Sequence, residues 1–221
     1  MNTITYCSDT RWLDPQSIYD AAYGSLPRYR REKVDGFVFM KDKKLSIGVE
    51  LLLRKALSDL GEEMHDIVLV KNNKPVLRGS DIHFNLSHSG TKVMCSVSDD
   101  DVGCDVEKIA PIDLDIARRF FFGSEYERIA SADDEDRYDL FYRFWTLKES
   151  FMKVTGLGFE LPLDSFRISL DDGISVDQDV DDRTYHFREF YLNDGYRYAS
   201  CSINEHIDDI IQVGLDEILN I

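Results

Sequence analysis

Residues 144–160 read Phe-Trp-Thr-Leu-Lys-Glu-Ser-Phe-Met-Lys-Val-Thr-Gly-Leu-Gly-Phe-Glu. Together with the residues just before them, Leu140, Phe141, Phe144, Leu147, Phe151 and Val154 recur at the spacing of one buried helical face. Trp145, Glu149 and Lys153 stand four apart, so they stack on a neighbouring face, and Glu149 before Lys153 is the favourable order for an ion pair along a helix. Gly156 and Gly158 stop the pattern, because glycine takes the left-handed cap conformation without a Cβ penalty. The spacing predicts a long helix over 135–155, opened by the acidic run 133–136 that suits its dipole and closed by a glycine turn. Taken alone, a Glu–Lys pair beside a core stripe is most often a plain surface salt bridge.

A second acidic stretch raises the stakes. Residues 102–109, Val-Gly-Cys-Asp-Val-Glu-Lys-Ile, have the character of a mostly buried strand. Side chains alternate along a strand, so Asp105 and Glu107 share a face. Two carboxylates together in an apolar strand are costly unless something positive compensates them, and a hard divalent cation held by oxygens is the simplest compensation.

Gly103-Cys-Asp105-Val-Glu107, then Trp145-Thr-Leu-Lys148-Glu149-Ser, Lys153 and Gly156-Leu-Gly158, resemble the 4′-phosphopantetheinyl transferases, in particular their Sfp-type branch. Asn85-Leu-Ser87-His88-Ser-Gly90 and Lys74-Pro75 match as well, in the family's order and at its spacing. Each motif is weak alone, and the set is strong. The resemblance implies an α+β fold of two similar α/β-meander halves about a pseudo-twofold axis, with the site at their junction. A division into 1–104 and 105–221 fits, and no Pro/Gly/Ser-rich linker separates the two.

Composition agrees with a packed enzyme. With 43% apolar and 12% aromatic residues, the 221-residue chain is globular and has no apolar run near the roughly 20 residues of a membrane helix. A net charge of −16 excludes non-specific binding to nucleic acid or anionic membranes. Cys7, Cys95, Cys104 and Cys201 form no Cys-x-x-Cys pair and read as reduced, buried thiols. With no secretory signal visible at the start, a cytoplasmic protein is expected. Against this acidic background, seven basic and three acidic side chains lie between Arg28 and Lys44, a local anion site.

Local patterns predict further elements. Strands are expected over 2–7, 82–87, 92–98, 165–170, 184–192, 196–203 and 210–214. Short strands flank a turn at 72–75, and helices are expected over 15–23, 27–35, 113–122 and 124–131. Residues 42–60 form a second long helix, with Asp42 as its N-cap and Gly61 as its stop. Asp99-Asp100-Asp101 reads as a hairpin turn joining 92–98 to 102–109.

The family's reaction moves the 4′-phosphopantetheine arm of coenzyme A to a serine hydroxyl of an apo acyl or peptidyl carrier protein, releasing 3′,5′-ADP. Its broad-specificity branch is associated with secondary metabolism. Carried over position by position, Asp105, Glu107 and Glu149 would hold Mg²⁺, and Glu149 would also take the serine proton, directly or through a metal-bound water. Lys153 would steady the charge on the leaving phosphate or protonate it, and His88, beside Ser87, would donate to the diphosphate. Lys33, Arg30 and Lys74 match residues that meet coenzyme A. Lys44 departs from the family's arginine and loses its bidentate fork, so either coenzyme A is held somewhat differently or the Ser46 hydroxyl substitutes from one position away. His65, His83, His186 and His206 have no such context.

Carrier proteins are acidic, so docking on this acidic chain needs a local patch, and Arg118-Arg119-Phe120-Phe121-Phe122 supplies a candidate. One chain with both halves is expected to suffice as a monomer. The competing readings are an Mg-dependent coenzyme A or nucleotide pyrophosphohydrolase and a non-catalytic carrier-binding protein.

Overall fold

The structure is a computed structural model that describes residues 1–63 and 66–219, so His65 lies outside the described residues. In chain order the first half contributes β1 (Ile4–Asp9), α1 (Gln16–Ser25), α2 (Arg28–Asp35), α3 (Met40–Asp59), β2 (Ile67–Leu69), β3 (Pro75–Leu77), β4 (His83–Ser89) and β5 (Lys92–Ser98). Then come β6 (Val102–Lys108), α4 (Asp115–Phe120), α5 (Gly123–Ser131), α6 (Asp134–Thr155), β7 (Arg167–Ser169) and β8 (Ser175–Asp177). The chain closes with β9 (His186–Phe190), β10 (Tyr196–Ser202), β11 (Ile211–Gln212) and α7 (Leu215–Leu219).

Two sheets lie back to back, each with a long helix on its outer face. The first has the order β11-β1-β5-β4 and the second β6-β10-β9. Alternation sorts the side chains. On β5, Val93, Cys95 and Val97 join the α3 core with Leu45, Leu52 and Ala56, while Met94 faces the other sheet. On β6 and β10, Cys104, Val106 and Tyr198 face that junction, while Ala199 and Cys201 join Phe144, Leu147 and Phe151 of α6. Burying each such large side chain stabilises the fold by roughly 1.5–3 kcal/mol.

The junction also holds hydroxyls: Thr5, Ser96 and Ser200 bond one another at 2.8–3.0 Å, and Thr3 bonds Ser98 and Ser202. Every member finds a partner, so these buried polar groups tie the sheets without an unmet donor. This is the α+β architecture of two like halves expected above.

Several local expectations change. The acidic turn 99–101 does not close a hairpin, because β5 and β6 belong to different sheets and β6 pairs with β10. α3 begins at Met40, with Phe39 in the N-cap position and Asp42 inside the first turn. Gly61 does stop it, at φ 72°. β8 and α7 are additional short elements. The division at residue 104 falls within β6, and the end of the chain crosses it: β11 runs parallel to β1, and Val213 and Ile218 sit in the first core. All four cysteines are free and buried. No helix among the described residues is long and apolar enough to cross a membrane.

Candidate functional site

Between the two sheets, the edge strands β4 and β6 run side by side, bridged by side chains. The Cys104, Val106 and Lys108 amides donate to Asn85 Oδ1, Ser87 Oγ and Ser89 Oγ at 3.0, 3.3 and 3.2 Å. The two serines pass their own protons on: Ser87 Oγ donates to Asp105 Oδ1 at 2.7 Å and Ser89 Oγ to Glu107 Oε2 at 2.6 Å. Strand alternation in Asn-Leu-Ser-His-Ser puts all three bridging groups on one face. Ser89 and Asn85 were not singled out as site residues in the sequence, although that alternation marks them.

α6 closes the third side. It packs on β6 so tightly that a Cβ at Gly103 would stand 2.1 Å from the Ser150 carbonyl oxygen and 2.5 Å from the Val154 nitrogen. Gly103→Ala should therefore push α6 outward. The expected result is a loss of about 1–3 kcal/mol in a denaturant titration and a fall in turnover of up to about 100-fold, since Glu149 and Lys153 move with the helix.

The result is a cleft of about 340 Å³ lined by Leu86, Ser87, His88, Asp105, Glu107, Trp145, Glu149 and Lys153. The Trp145/Glu149/Lys153 face of the helix is thus the site face. Lys153 does not pair with Glu149 along the helix as expected. Its Nζ donates to Asp105 Oδ1 at 2.7 Å, to the Cys104 carbonyl at 2.9 Å and to Ser87 Oγ at 3.2 Å. A buried carboxylate with a lost hydration shell outcompetes a flexible i,i+4 partner.

Charge crowding shows in the proton affinities. Burial pushes Glu107 up to about 7, with Asp105 adding to the rise against the Ser89 hydrogen bond. Burial and Asp105 also raise Glu149. Burial alone would lower Lys153, but Asp105 more than offsets it and keeps the ammonium protonated. His88 lies below its ordinary value, because its ring loses hydration and because Lys153 and Lys33 add positive charge.

The folded state holds a proton on Glu107 that the unfolded chain has released, so this contribution to stability is complete below pH 4.5 and lost as pH rises through about 7. Discounted for partial exposure, the loss is about 2 kcal/mol. In chelator, the melting temperature should fall between pH 5 and pH 8, and Glu107→Gln should flatten that fall.

Among the described residues, no three His, Cys, Asp or Glu side chains stand close enough to form a ready metal cage. The expected convergence of Asp105, Glu107 and Glu149 is therefore a shared wall, not a preformed ligand set. Like charges keep apart without a cation between them, and Lys153 already holds one Asp105 oxygen. The donors nonetheless suit a hard divalent ion. Asp105 Oδ2 is buried with no hydrogen-bond partner, an orphan that a cation would satisfy.

The remaining basic residues are dispersed. Lys33 makes no hydrogen bond or ion pair among the described residues, and its charge reaches His88. Lys44 Nζ holds Asp14 at 2.6 Å in a neighbouring cavity of about 190 Å³, beside Lys41, Gly90 and Thr91. Ser46 is buried with its hydroxyl unpartnered, so it does not stand in for the missing arginine fork at the surface. Lys74 lies on the β2–β3 turn, near the Val154 carbonyl at 3.4 Å and Asp101 at 3.5 Å, and lines a different cavity with His83. Arg30 is corrected: its guanidinium is buried and bound to Glu50, at 2.8 Å from both Nε and Nη2, not presented to a ligand.

Comparison with known proteins gives the context. Residues 101–201 match the 4′-phosphopantetheinyl transferase superfamily, and residues 10–99 match the 4′-phosphopantetheinyl transferase N-terminal family. The chain is 33% identical over 197 residues to 4′-phosphopantetheinyl transferase Sfp of Bacillus subtilis (strain 168), covering 86% of this chain and 88% of that one. It is 30% identical over 210 residues to 4′-phosphopantetheinyl transferase gsp of Aneurinibacillus migulanus, covering 92% and 88%. To the L-aminoadipate-semialdehyde dehydrogenase-phosphopantetheinyl transferase of Homo sapiens it is 33% identical over 178 residues, covering 72% and 58%.

Proposed function

The chain belongs to the 4′-phosphopantetheinyl transferase superfamily, and from that premise we propose that it transfers 4′-phosphopantetheine from coenzyme A to a serine hydroxyl of an apo acyl or peptidyl carrier protein. The reaction would require Mg²⁺, release 3′,5′-ADP and need only a monomer. The observation that best supports this reading is the cleft where β4, β6 and α6 gather Asp105, Glu107, Glu149, Lys153, Ser87 and His88.

Phosphoryl transfer asks mainly for positioning and neutralised charge. Asp105, Glu107 and Glu149 are the residues that would hold Mg²⁺, which when bound would neutralise the diphosphate oxygens. The serine oxygen forms a bond to the phosphorus bearing the pantetheine arm as the bond to the bridging oxygen of the diphosphate breaks. Glu149, made a stronger proton acceptor by burial and by Asp105, accepts the serine proton. Lys153, held protonated, steadies the departing phosphate. His88 enters neutral and donates one N–H to a diphosphate oxygen.

The test is a panel of apo carriers with coenzyme A and Mg²⁺, read by intact mass. A gain of one phosphopantetheine is expected, and it should be absent in Glu149→Gln. Release of 3′,5′-ADP without any carrier would instead mark a pyrophosphohydrolase, and full transfer by Glu149→Gln would remove the assigned site.

The carrier would dock on the end of α4. Phe121 turns inward, stacked on Phe141 at 5.4 Å, while Phe120 and Phe122 remain exposed beside the exposed Arg118 and Arg119. Replacing both arginines by Glu should raise KM for the carrier about tenfold and leave KM for coenzyme A unchanged. Equal effects on both would dismiss the patch.

A further inference from the structure

Along β6 the amides of Cys104, Val106 and Lys108 alternate with the side chains of Gly103, Asp105 and Glu107, and β4 answers each step in turn. Beside Gly103, which offers no side chain, the Cys104 amide meets Asn85, whose Oδ1 only accepts. Beside the two acids the bridging residue is instead a serine, Ser87 and then Ser89. A hydroxyl can accept and donate at once, and an amide oxygen cannot. Serine thus stands where a carboxylate adjoins the bridged amide, and asparagine where none does.

Ser89 is the last rung. Its Oγ accepts the Lys108 amide at 3.2 Å and spends its own proton on Glu107 Oε2 at 2.6 Å, the length of a strong, charge-assisted bond. Glu107 lines the cleft, and its Oε1 makes no hydrogen bond or ion pair among the described residues. A bridge needed for stability alone would not require this serine, because Lys108 is exposed and its amide can turn to water.

The serine is itself held in place. It ends β4, and the turn that follows is pinned: Gly90 takes φ 59°, a Cβ on it would stand 2.3 Å from the Tyr196 hydroxyl, and that hydroxyl accepts the Thr91 amide at 3.1 Å. Tyr196 lies on β10 directly across from Lys108. The strand pair that carries Glu107 therefore also fixes the turn that carries Ser89.

We propose that Ser89 is a positioning residue for the divalent-cation site: its hydroxyl fixes the Glu107 carboxylate through Oε2 and leaves Oε1 for the metal. This deepens the transferase reading and rests on its assignment of Glu107 as a metal ligand. Ser89 itself meets neither the cation nor the substrate. It sets the orientation of a group that does, as outer partners of metal ligands do.

The experiment is a calorimetric titration of the full chain with Mg²⁺, with coenzyme A absent and then present. Ser89→Ala should raise the Kd for Mg²⁺ about tenfold, while its melting temperature in chelator stays close to that of the wild type. Ser89→Thr keeps the hydroxyl on a side chain that suits a strand, and it should restore the affinity to within about threefold of wild type. In a Glu107→Gln background, Ser89→Ala should weaken Mg²⁺ no further, because the ligand it orients is already gone.

A Ser89→Ala protein that binds Mg²⁺ like the wild type would overturn the proposal, and so would additive losses with Glu107→Gln. If Ser89→Ala does not fold, Tyr196→Phe releases only the Thr91 amide, and its two- to threefold rise in the Kd for Mg²⁺ should vanish in the Glu107→Gln background. Persistence of that rise would equally overturn the idea. A wild-type protein with no response to Mg²⁺ in either titration would instead overturn the metal assignment beneath it.

Discussion

Lys148→Met should lower stability by about 3–5 kcal/mol, the cost of stranding a buried charge. Lys148 adjoins Glu149 in sequence but points to the opposite interior. It has no solvent exposure and donates to Glu125 Oε1 at 2.7 Å and to the Phe166 carbonyl at 2.8 Å, with the Phe166 ring centroid 4.1 Å away. Glu125 also accepts the Ile168 amide at 2.7 Å and the Phe122 amide at 3.0 Å, so the pair ties α6 to the start of α5 and to β7. Burial drives the two groups toward neutrality: it lowers Lys148 to about 8 and raises Glu125.

Removing only the lysine leaves Glu125 a buried, uncompensated acid. In a chain of this size the melting temperature should fall by about 10 °C. Lys148→Met combined with Glu125→Gln should recover part of the loss, since the amide oxygen still accepts one backbone N–H. A single variant within about 1 kcal/mol of wild type in a urea titration would show that the pair is dispensable.

That pair also shows where sequence reading stops. The helix carrying Lys148 was legible from end to end: an apolar stripe, an acidic opening at 133–136 and a left-handed Gly156 at φ 70°. Periodicity reports which face a residue occupies, and it placed Trp145, Glu149 and Lys153 together correctly. It does not report the partner across space. Lys148 meets a residue 23 positions earlier, and Lys153 meets Asp105, 48 positions earlier, instead of Glu149 one turn before it.

The strand pair fails for the same reason. Three aspartates between two apolar runs look like a hairpin turn, but β6 is claimed by β10 and by the serines of β4, both distant in sequence. Arg30 was misplaced because a basic cluster in an acidic chain reads as a ligand site, and nothing local announces that Glu50 is buried beneath it. The strands and cores were visible because hydrophobic alternation is local. The site's wiring was not, because each link joins separate elements.

Asp105→Asn should reduce turnover by about 10³-fold while leaving the fold largely intact, and it tests the site at its centre. The substitution is nearly isosteric. Its amide oxygen can still accept from Ser87 and Lys153, which now bond Oδ1 at 2.7 Å each, so the local architecture is retained. What disappears is one negative charge and the unpartnered Oδ2, the oxygen with no role inside the protein as it stands.

If that oxygen exists for a divalent cation, the variant should lose the rise in melting temperature that Mg²⁺ gives the wild type, together with turnover. If it serves only to hold Lys153, the loss should be mild and the response to Mg²⁺ unchanged. Lys153→Met separates the roles from the other side: it takes the ammonium off Oδ1 and leaves only the Ser87 hydrogen bond there, so Mg²⁺ should bind at least as tightly while the departing phosphate loses its cation and turnover still falls. Thermal shifts against Mg²⁺ concentration and single-turnover transfer, measured on both variants, decide between them. An Asp105→Asn enzyme with wild-type turnover would leave the cleft without its assigned chemistry.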